Sequence, residues 1–168
     1  EIDWLRDTAP LLDFVIMLGA GPGVMAAAIK DGNPGAQMFV IDADTCDYML
    51  SYLASFGPEY VENVYTLVGD SYAIGSRYEG RYTDLLIVDA DHSQRGVESD
   101  IIAWLSHVKP GGLILFHDYD ATGTMYEAQE QYPGVKTAVD RLMKPYRFVE
   151  RVGTSAIYRF EERPYDDR

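Results

Sequence analysis

Short β-rich runs alternate with helical patterns along most of this 168-residue sequence, and that alternation restricts the fold more than any single motif does. The strand candidates are DFVIML (13–18), AQMFVID (36–42), VENVYTLV (61–68), DLLIVDA (84–90), GGLILFHD (111–118), YRFVERV (146–152) and SAIYRF (155–160). Helical segments are expected to begin near Pro22, Asp47, Ser71 and Gln94, with a longer one near Thr122. Runs such as VIML and LLIV are apolar at every position, as in central parallel strands covered on both faces. The last two runs differ. Only Gly153 and Thr154 separate FVERV from SAIYRF, too few residues for a crossover helix, so these runs must form an antiparallel hairpin. The expected fold class is therefore α/β: a doubly wound, mostly parallel seven-stranded sheet that ends in a C-terminal antiparallel β-hairpin. Residues 1–168 are read as a single domain.

Helical periodicity within 96–107 puts Val97, Ile101, Leu105 and Val108 on one face and turns Glu98, Asp100 and Ser106 toward water. Trp104 is expected to pack against the sheet.

In open α/β sheets ligands bind beyond the carboxyl ends of the strands. VDADHSQRG (88–96) and FHDYD (116–120) both lie at such ends, and they concentrate Asp89, Asp91, His92, His117 and Asp118 there. The formal charge of -13 repels phosphate backbones and anionic lipid heads, which argues against nucleic-acid or membrane-surface partners. The apolar stretch LLDFVIMLGAGPGVMAAAI is broken by Asp13 and by GAGPG, so it does not read as a membrane span. The lone Cys46 can form no internal disulfide, which fits a reducing, cytoplasmic setting.

The turn GAGPG follows the first strand and opens a helix. Gly19, Gly21 and Gly23 allow a sharp turn and close approach of backbone to a ligand, and Pro22 suits a first helical turn. The G-x-G-x-G spacing is one residue tighter than a dinucleotide fingerprint, whose third glycine would fall at Val24. Asp42, at the end of the second strand, can accept both hydroxyls of a ribose. Asp70 can receive an adenine amino group, and Ser71 can cap the helix that follows.

Taken together these motifs resemble those of a class I S-adenosylmethionine-dependent methyltransferase, a Rossmann-like fold closed by a terminal hairpin. The run VDADHSQRGVESDIIAWLSHVKPGGLILFHDY, with the later GVKTAVDRLM, resembles a family of small proteins that includes macrocin-type sugar O-methyltransferases and cephalosporin-hydroxylase-like proteins. The resemblance implies that Gly19, Gly21 and Gly23 line the methionine and ribose of S-adenosylmethionine, that Asp42 holds the ribose, and that Asp70 and Ser71 face the adenine. One position departs from the class. An acidic residue usually stands two positions before the first glycine, near the cofactor's amino group, and here it is Met17. Relatives also carry N-terminal helices that close the active site, so a missing N-terminal cap is expected.

Within such a fold Asp89 and Asp118 fall on adjacent strands, where two hard oxygen donors suit Mg²⁺. Relatives hold a divalent metal there, which implies a ligand set of Asp89, Asp118 and His117. Because strand side chains alternate, His117 can equally point into the neighbouring layer. His92 is the expected catalytic base, removing the proton of a substrate hydroxyl as it attacks the sulfonium methyl. Asp91 either orients His92 or is solvated. Tyr119 is expected at the substrate entrance, and Tyr126 and Tyr132 in the segment after the fifth strand, where lids often form.

The expected activity is methylation of a hydroxyl on a small molecule such as a sugar, with the small size leaving room for a homodimer that completes the site. A metal-dependent hydrolase would use the acid–histidine cluster but leave GAGPG and Asp42 idle. A non-catalytic binding protein on the same fold is the other alternative. A nicotinamide-dependent oxidoreductase fits poorly with the glycine spacing and the hairpin.

Overall fold

The computed structural model describes residues 1–120 and 133–161. Among them, seven strands form one sheet: β1 (Phe14–Leu18), β2 (Gln37–Asp42), β3 (Val64–Val68), β4 (Thr83–Val88), β5 (Val108–Phe116), β6 (Arg147–Val152) and β7 (Ser155–Arg159). Their spatial order is β3-β2-β1-β4-β5-β7-β6, parallel from β3 through β5, with β7 antiparallel to both of its neighbours. The expected sheet is thus the observed one. The helices are α1 (Ile2–Thr8), α2 (Val24–Gly32), α3 (Asp47–Ala54), α4 (Ser71–Gly75), α5 (Gln94–Trp104) and α6 (Pro133–Leu142). The helix expected near Thr122, and with it Tyr126 and Tyr132, lies outside the described residues.

The all-apolar strands sort their side chains strictly by parity. Val15, Met17, Leu85, Ile87 and Leu115 join Met38 and Val40 in a core beneath α1, α2 and α3. Ile16, Leu18, Leu86, Val88, Ile114 and Phe116 face the opposite way and pack with Val97, Ile101 and Trp104 of α5 and with Val139 of α6. Period-two alternation with both faces apolar is what a sheet sandwiched between helix layers requires.

Several local expectations shift. Helix α2 begins at Val24, with Gly23 at its N-cap in the left-handed region (φ 91°), so Pro22 belongs to the turn and not to the first helical turn. The segment 2–8 forms a helix that periodicity did not single out. Val108 opens β5 instead of closing the preceding helix. Asp100 does not face water: it is only 2% exposed, and its carboxylate takes the hydroxyl hydrogen of Ser71. A buried acidic side chain survives inside such a helix only with a donor of this kind. No helix among the described residues is long and apolar enough to cross a membrane.

The hydrogen-bond ladder runs one residue past each strand and so aligns the ends that matter. Gly69 N–H donates to Asp42 O (2.8 Å), Gly19 N–H to Ile41 O (2.7 Å), Asp89 N–H to Leu18 O (2.9 Å) and His117 N–H to Val88 O (3.2 Å).

Candidate active site

The glycine turn lies directly against the end of β4. A Cβ on Gly19 would stand 2.0 Å from the Asp89 carbonyl oxygen, and φ is 91° there, so no side chain fits. Across the turn, Asp42 Oδ2 accepts from Ala20 N–H at 2.7 Å and Oδ1 from Asp44 N–H at 2.9 Å, which pins the turn to the end of β2. A cavity of about 500 Å³ opens above these ends, and its walls include Gly19, Gly21, Asp42, Asp70, Ser71 and Asp89. Gly23 faces away from it, against Met49 and Tyr52 of α3.

The helix cap at α4 is Asp70, not Ser71: its Oδ1 accepts from Ala73 N–H at 2.7 Å. Ser71 is instead gripped from behind by α5, its hydroxyl by Asp100 and its carbonyl by Trp104 Nε1–H at 2.9 Å. Burial, reinforced by Asp70 and Asp91, pushes the Asp100 carboxyl up to about 6 against the opposing pull of the Ser71 hydroxyl. Met17, where the resemblance places an acid, is 1% exposed and lies in the core.

Four side chains from two loops converge beside this cavity. His117 Nδ1 lies 3.1 Å from Asp89 Oδ1 and 3.3 Å from Asp118 Oδ2. His92 Nε2 lies 3.2 Å from Asp118 Oδ2 and 3.5 Å from Asp89 Oδ1. Consecutive strand residues point to opposite faces, yet His117 and Asp118 both reach the cluster. The reason is that Asp118 leaves the strand with φ 52°, a conformation uncommon outside glycine, and this ends the alternation. His117 Nδ1 is buried and makes no aligned hydrogen bond despite its short contacts. Its Nε2 faces the Glu1 carboxylate at 4.0 Å, and that carboxylate is itself held by Thr154.

The charges are mutually dependent. Asp118 foremost, then Asp89, raises His92 to about 9. Burial opposes the charged form of His117, but Asp118 and Asp89 outweigh it and raise the ring to about 10. In return His117 and His92 hold Asp118 well below the ordinary carboxylate range, and they lower Asp89 against its burial. All four donor atoms lie within 4.8 Å of one another, a spacing that can hold a divalent cation.

Asp91 has a structural task. Its carboxylate accepts from Ser93 N–H (2.8 Å) and Ser93 Oγ–H (3.0 Å) and rests on Gly96, while Ser93 caps α5. Gly134, which opens the GVKTAVDRLM run, is where α6 touches the His92 loop: a Cβ there would meet Gln94 N at 2.3 Å and His92 O at 2.7 Å. That run is part of the resemblance, but the resemblance assigns no role to its glycine. Tyr119 packs toward α6, donating to Asp140 Oδ1 at 2.6 Å and accepting from Lys136 Nζ at 2.9 Å.

A glycine turn, an acid closing the second strand and an acid–histidine cluster at the fourth and fifth strand ends now stand together. The profile of the methyltransferase-domain family matches residues 17–119, which span this arrangement and more than half the chain. The chain belongs to that family. It carries a methyltransferase domain. No curated protein sequence matches it closely enough to count as a relative. Among solved structures, a Staphylococcus aureus protein described as a caffeoyl-CoA O-methyltransferase superposes with a TM-score of 0.74 at 14% identity, covering 94% of this chain and 81% of its own. Cofactor-bound Rv0187 from MTB gives 0.73 at 14% identity, covering 96% and 80%. TomG from Streptomyces achromogenes, an O-methyltransferase of tomaymycin synthesis solved with S-adenosylmethionine, gives 0.70 at 15%, covering 95% and 79%. At such identities these likenesses establish the methyltransferase's fold.

Proposed function

We propose that this methyltransferase is a divalent-metal-assisted O-methyltransferase acting on a hydroxyl of a small molecule, with sugars of the macrocin type as the leading substrate class. A single domain over residues 1–168 carries the reaction. One observation supports the reading above the others: Asp89 both lines the 500 Å³ cavity and belongs to the acid–histidine cluster, so a methyl donor and an ion-bound hydroxyl would be neighbours.

In this reading Gly19, Gly21 and Gly23 shape the turn around the cofactor, the first two at the cavity wall. Asp42 takes the ribose hydroxyls, and Asp70 with Ser71 borders the adenine. Asp89, Asp118 and His117 would hold a cation, which would supply a lowered hydroxyl pKa and a fixed direction of approach. The hydroxyl oxygen attacks the sulfonium methyl in line, the C–O bond forms as the C–S bond breaks, and S-adenosylhomocysteine departs. His92 would accept the hydroxyl proton once a bound cation has drawn off the Asp118 and Asp89 carboxylates that otherwise keep its ring protonated. Orientation of this kind is worth about 7–11 kcal/mol in ideal cases. The acidic surface favours neutral or cationic substrates. A cytoplasmic setting agrees with the single buried Cys46, and a homodimer would be in keeping with the small size.

Calorimetric titration with S-adenosylhomocysteine, with NADH as control, tests the cofactor half. Binding of the first and not the second is expected. Transfer of a labelled methyl group from S-adenosylmethionine to a panel of small hydroxylated acceptors tests the other half. Label arriving only on amines or thiols would overturn the O-methyltransferase reading.

A further inference from the structure

Mg²⁺ is the ion that the resemblance implies, but the donor set at β4 and β5 fits it poorly. Mg²⁺ takes oxygen ligands and holds them in near-ideal octahedra, whereas half of the donors here are imidazole nitrogens. We infer that Asp89, His92, His117 and Asp118 form a two-nitrogen, two-oxygen site for a first-row transition ion of the Zn²⁺ or Co²⁺ class, with His92 a ligand in the substrate-free enzyme. This deepens the proposed function, and the site's purpose rests on that reading. The proton-accepting role of His92 then belongs to the substrate-bound enzyme, where the hydroxyl takes its place.

Three observations carry the inference. The first is chemical: imidazole suits Zn²⁺, Co²⁺, Fe²⁺ and their neighbours, and a pair of imidazoles with a pair of carboxylates is a donor set of that series. The second is geometric. Ligands about 2.0–2.1 Å from a tetrahedral ion stand about 3.3–3.4 Å apart, while adjacent ligands of octahedral Mg²⁺ at about the same bond length stand about 2.9 Å apart. The four nitrogen–oxygen separations, four of the six edges of the donor set, are 3.1, 3.3, 3.2 and 3.5 Å, all longer than the octahedral Mg²⁺ edge and close to the tetrahedral one. The third is local. The left-handed backbone at Asp118 brings two consecutive side chains to one point, and the buried His117 Nδ1 that it recruits has no aligned hydrogen bond to occupy it.

Affinity by itself does not discriminate, because oxygen-only sites also bind transition ions more tightly than Mg²⁺. The test therefore reads the nitrogens. Pulsed EPR of the Cu²⁺-loaded protein counts coordinated imidazoles, and visible absorption of the Co²⁺-loaded protein reports coordination number. Two imidazole couplings are expected in the unmodified chain and one in each of His92→Ala and His117→Ala. An intense Co²⁺ band of four- or five-coordination should survive excess Mg²⁺. Each variant should lose at least about tenfold in Co²⁺ affinity, the lower bound for disturbing even a supporting partner of a metal ligand. An unchanged nitrogen count in His92→Ala, or the weak spectrum of a six-coordinate oxygen site, overturns the inference. Circular dichroism and a parallel His92→Gln variant exclude misfolding as the cause of a loss. S-adenosylhomocysteine is titrated into the same samples. Its binding alongside an oxygen-only ion spectrum sinks the inference alone, while its failure to bind the unmodified chain sinks the methyltransferase reading beneath it.

Discussion

Asp100→Asn separates a buried carboxyl from its pH dependence. Asp100 lies within α5 at 2% exposure, with the Ser71 hydroxyl as donor and the charges of Asp70 and Asp91 nearby. Folding raises its carboxyl from an ordinary 3.8 to about 6, with burial the largest cause. For a group raised on folding, the contribution to stability is fully present below the unfolded value. It is lost as pH climbs through the folded value, because the unfolded chain releases the proton first. Raising the pKa by this much corresponds to about 3 kcal/mol. The amide of the variant does not titrate. Whatever constant offset it introduces by burying an N–H₂ group, the stability difference between variant and parent should move in the variant's favour by about 2 kcal/mol between pH 4 and pH 7.5, the remainder lying below pH 4 where the unfolded carboxyl completes its titration. Urea unfolding at half-unit pH steps, followed by circular dichroism, measures that difference directly. Parallel stability–pH curves for the two proteins would refute the argument, since they would mean that Asp100 ionises inside as easily as outside.

Other perturbations probe separate parts of the structure. Asp42→Ala removes a carboxylate that also anchors Ala20, so S-adenosylhomocysteine affinity in calorimetry should fall by about 1.5–3 kcal/mol, the range for hydrogen bonds to a charged group. Lys30, 1% exposed, donates to the carbonyls of Pro34 (3.0 Å), Ala36 (2.8 Å) and Glu62 (2.5 Å). Lys30→Met leaves all three without that donor and should cost about 2–4 kcal/mol in chemical denaturation, with cofactor affinity at saturation unchanged. Gly134→Ala forces α6 away from the His92 loop. About 1–3 kcal/mol of destabilisation is expected from the overpacking, together with a fall in methyl-transfer kcat that exceeds any change in cofactor binding. Equal losses in both would argue that Gly134 serves packing alone.

Much of the fold was legible because it depends on quantities local to the chain. The apolar runs at 14–18 and 85–88, the helical spacing between strands and the two-residue gap at Gly153–Thr154 left few topologies, and the observed strand order is one of them. The candidate site residues were also readable, since residues at strand ends in a parallel sheet must gather along one edge. Gly19, Asp42, Asp70 and Asp89 line the cavity on that edge, and Asp118 meets His92 and His117 beside it. Patterning gave no account of where individual polar groups find their partners. Asp100 looked solvent-facing by periodicity, but its burial depends on Ser71, 29 residues away in sequence. Ser71 and Asp70 exchanged capping roles because the backbone bend falls one residue earlier than propensity places it. Asp91 turned to Ser93, and Gly134 acquired its importance from a helix that lands on residues 92–94. The sequence by itself determined which residues lie at the sheet's carboxyl edge, because period-two alternation and chain reversal are set by neighbours along the chain. Only the tertiary structure decided that His117 and Asp118 point together and that His92 meets both carboxylates. That convergence depends on one left-handed residue and on the separation of two loops, and neither is encoded in local propensity.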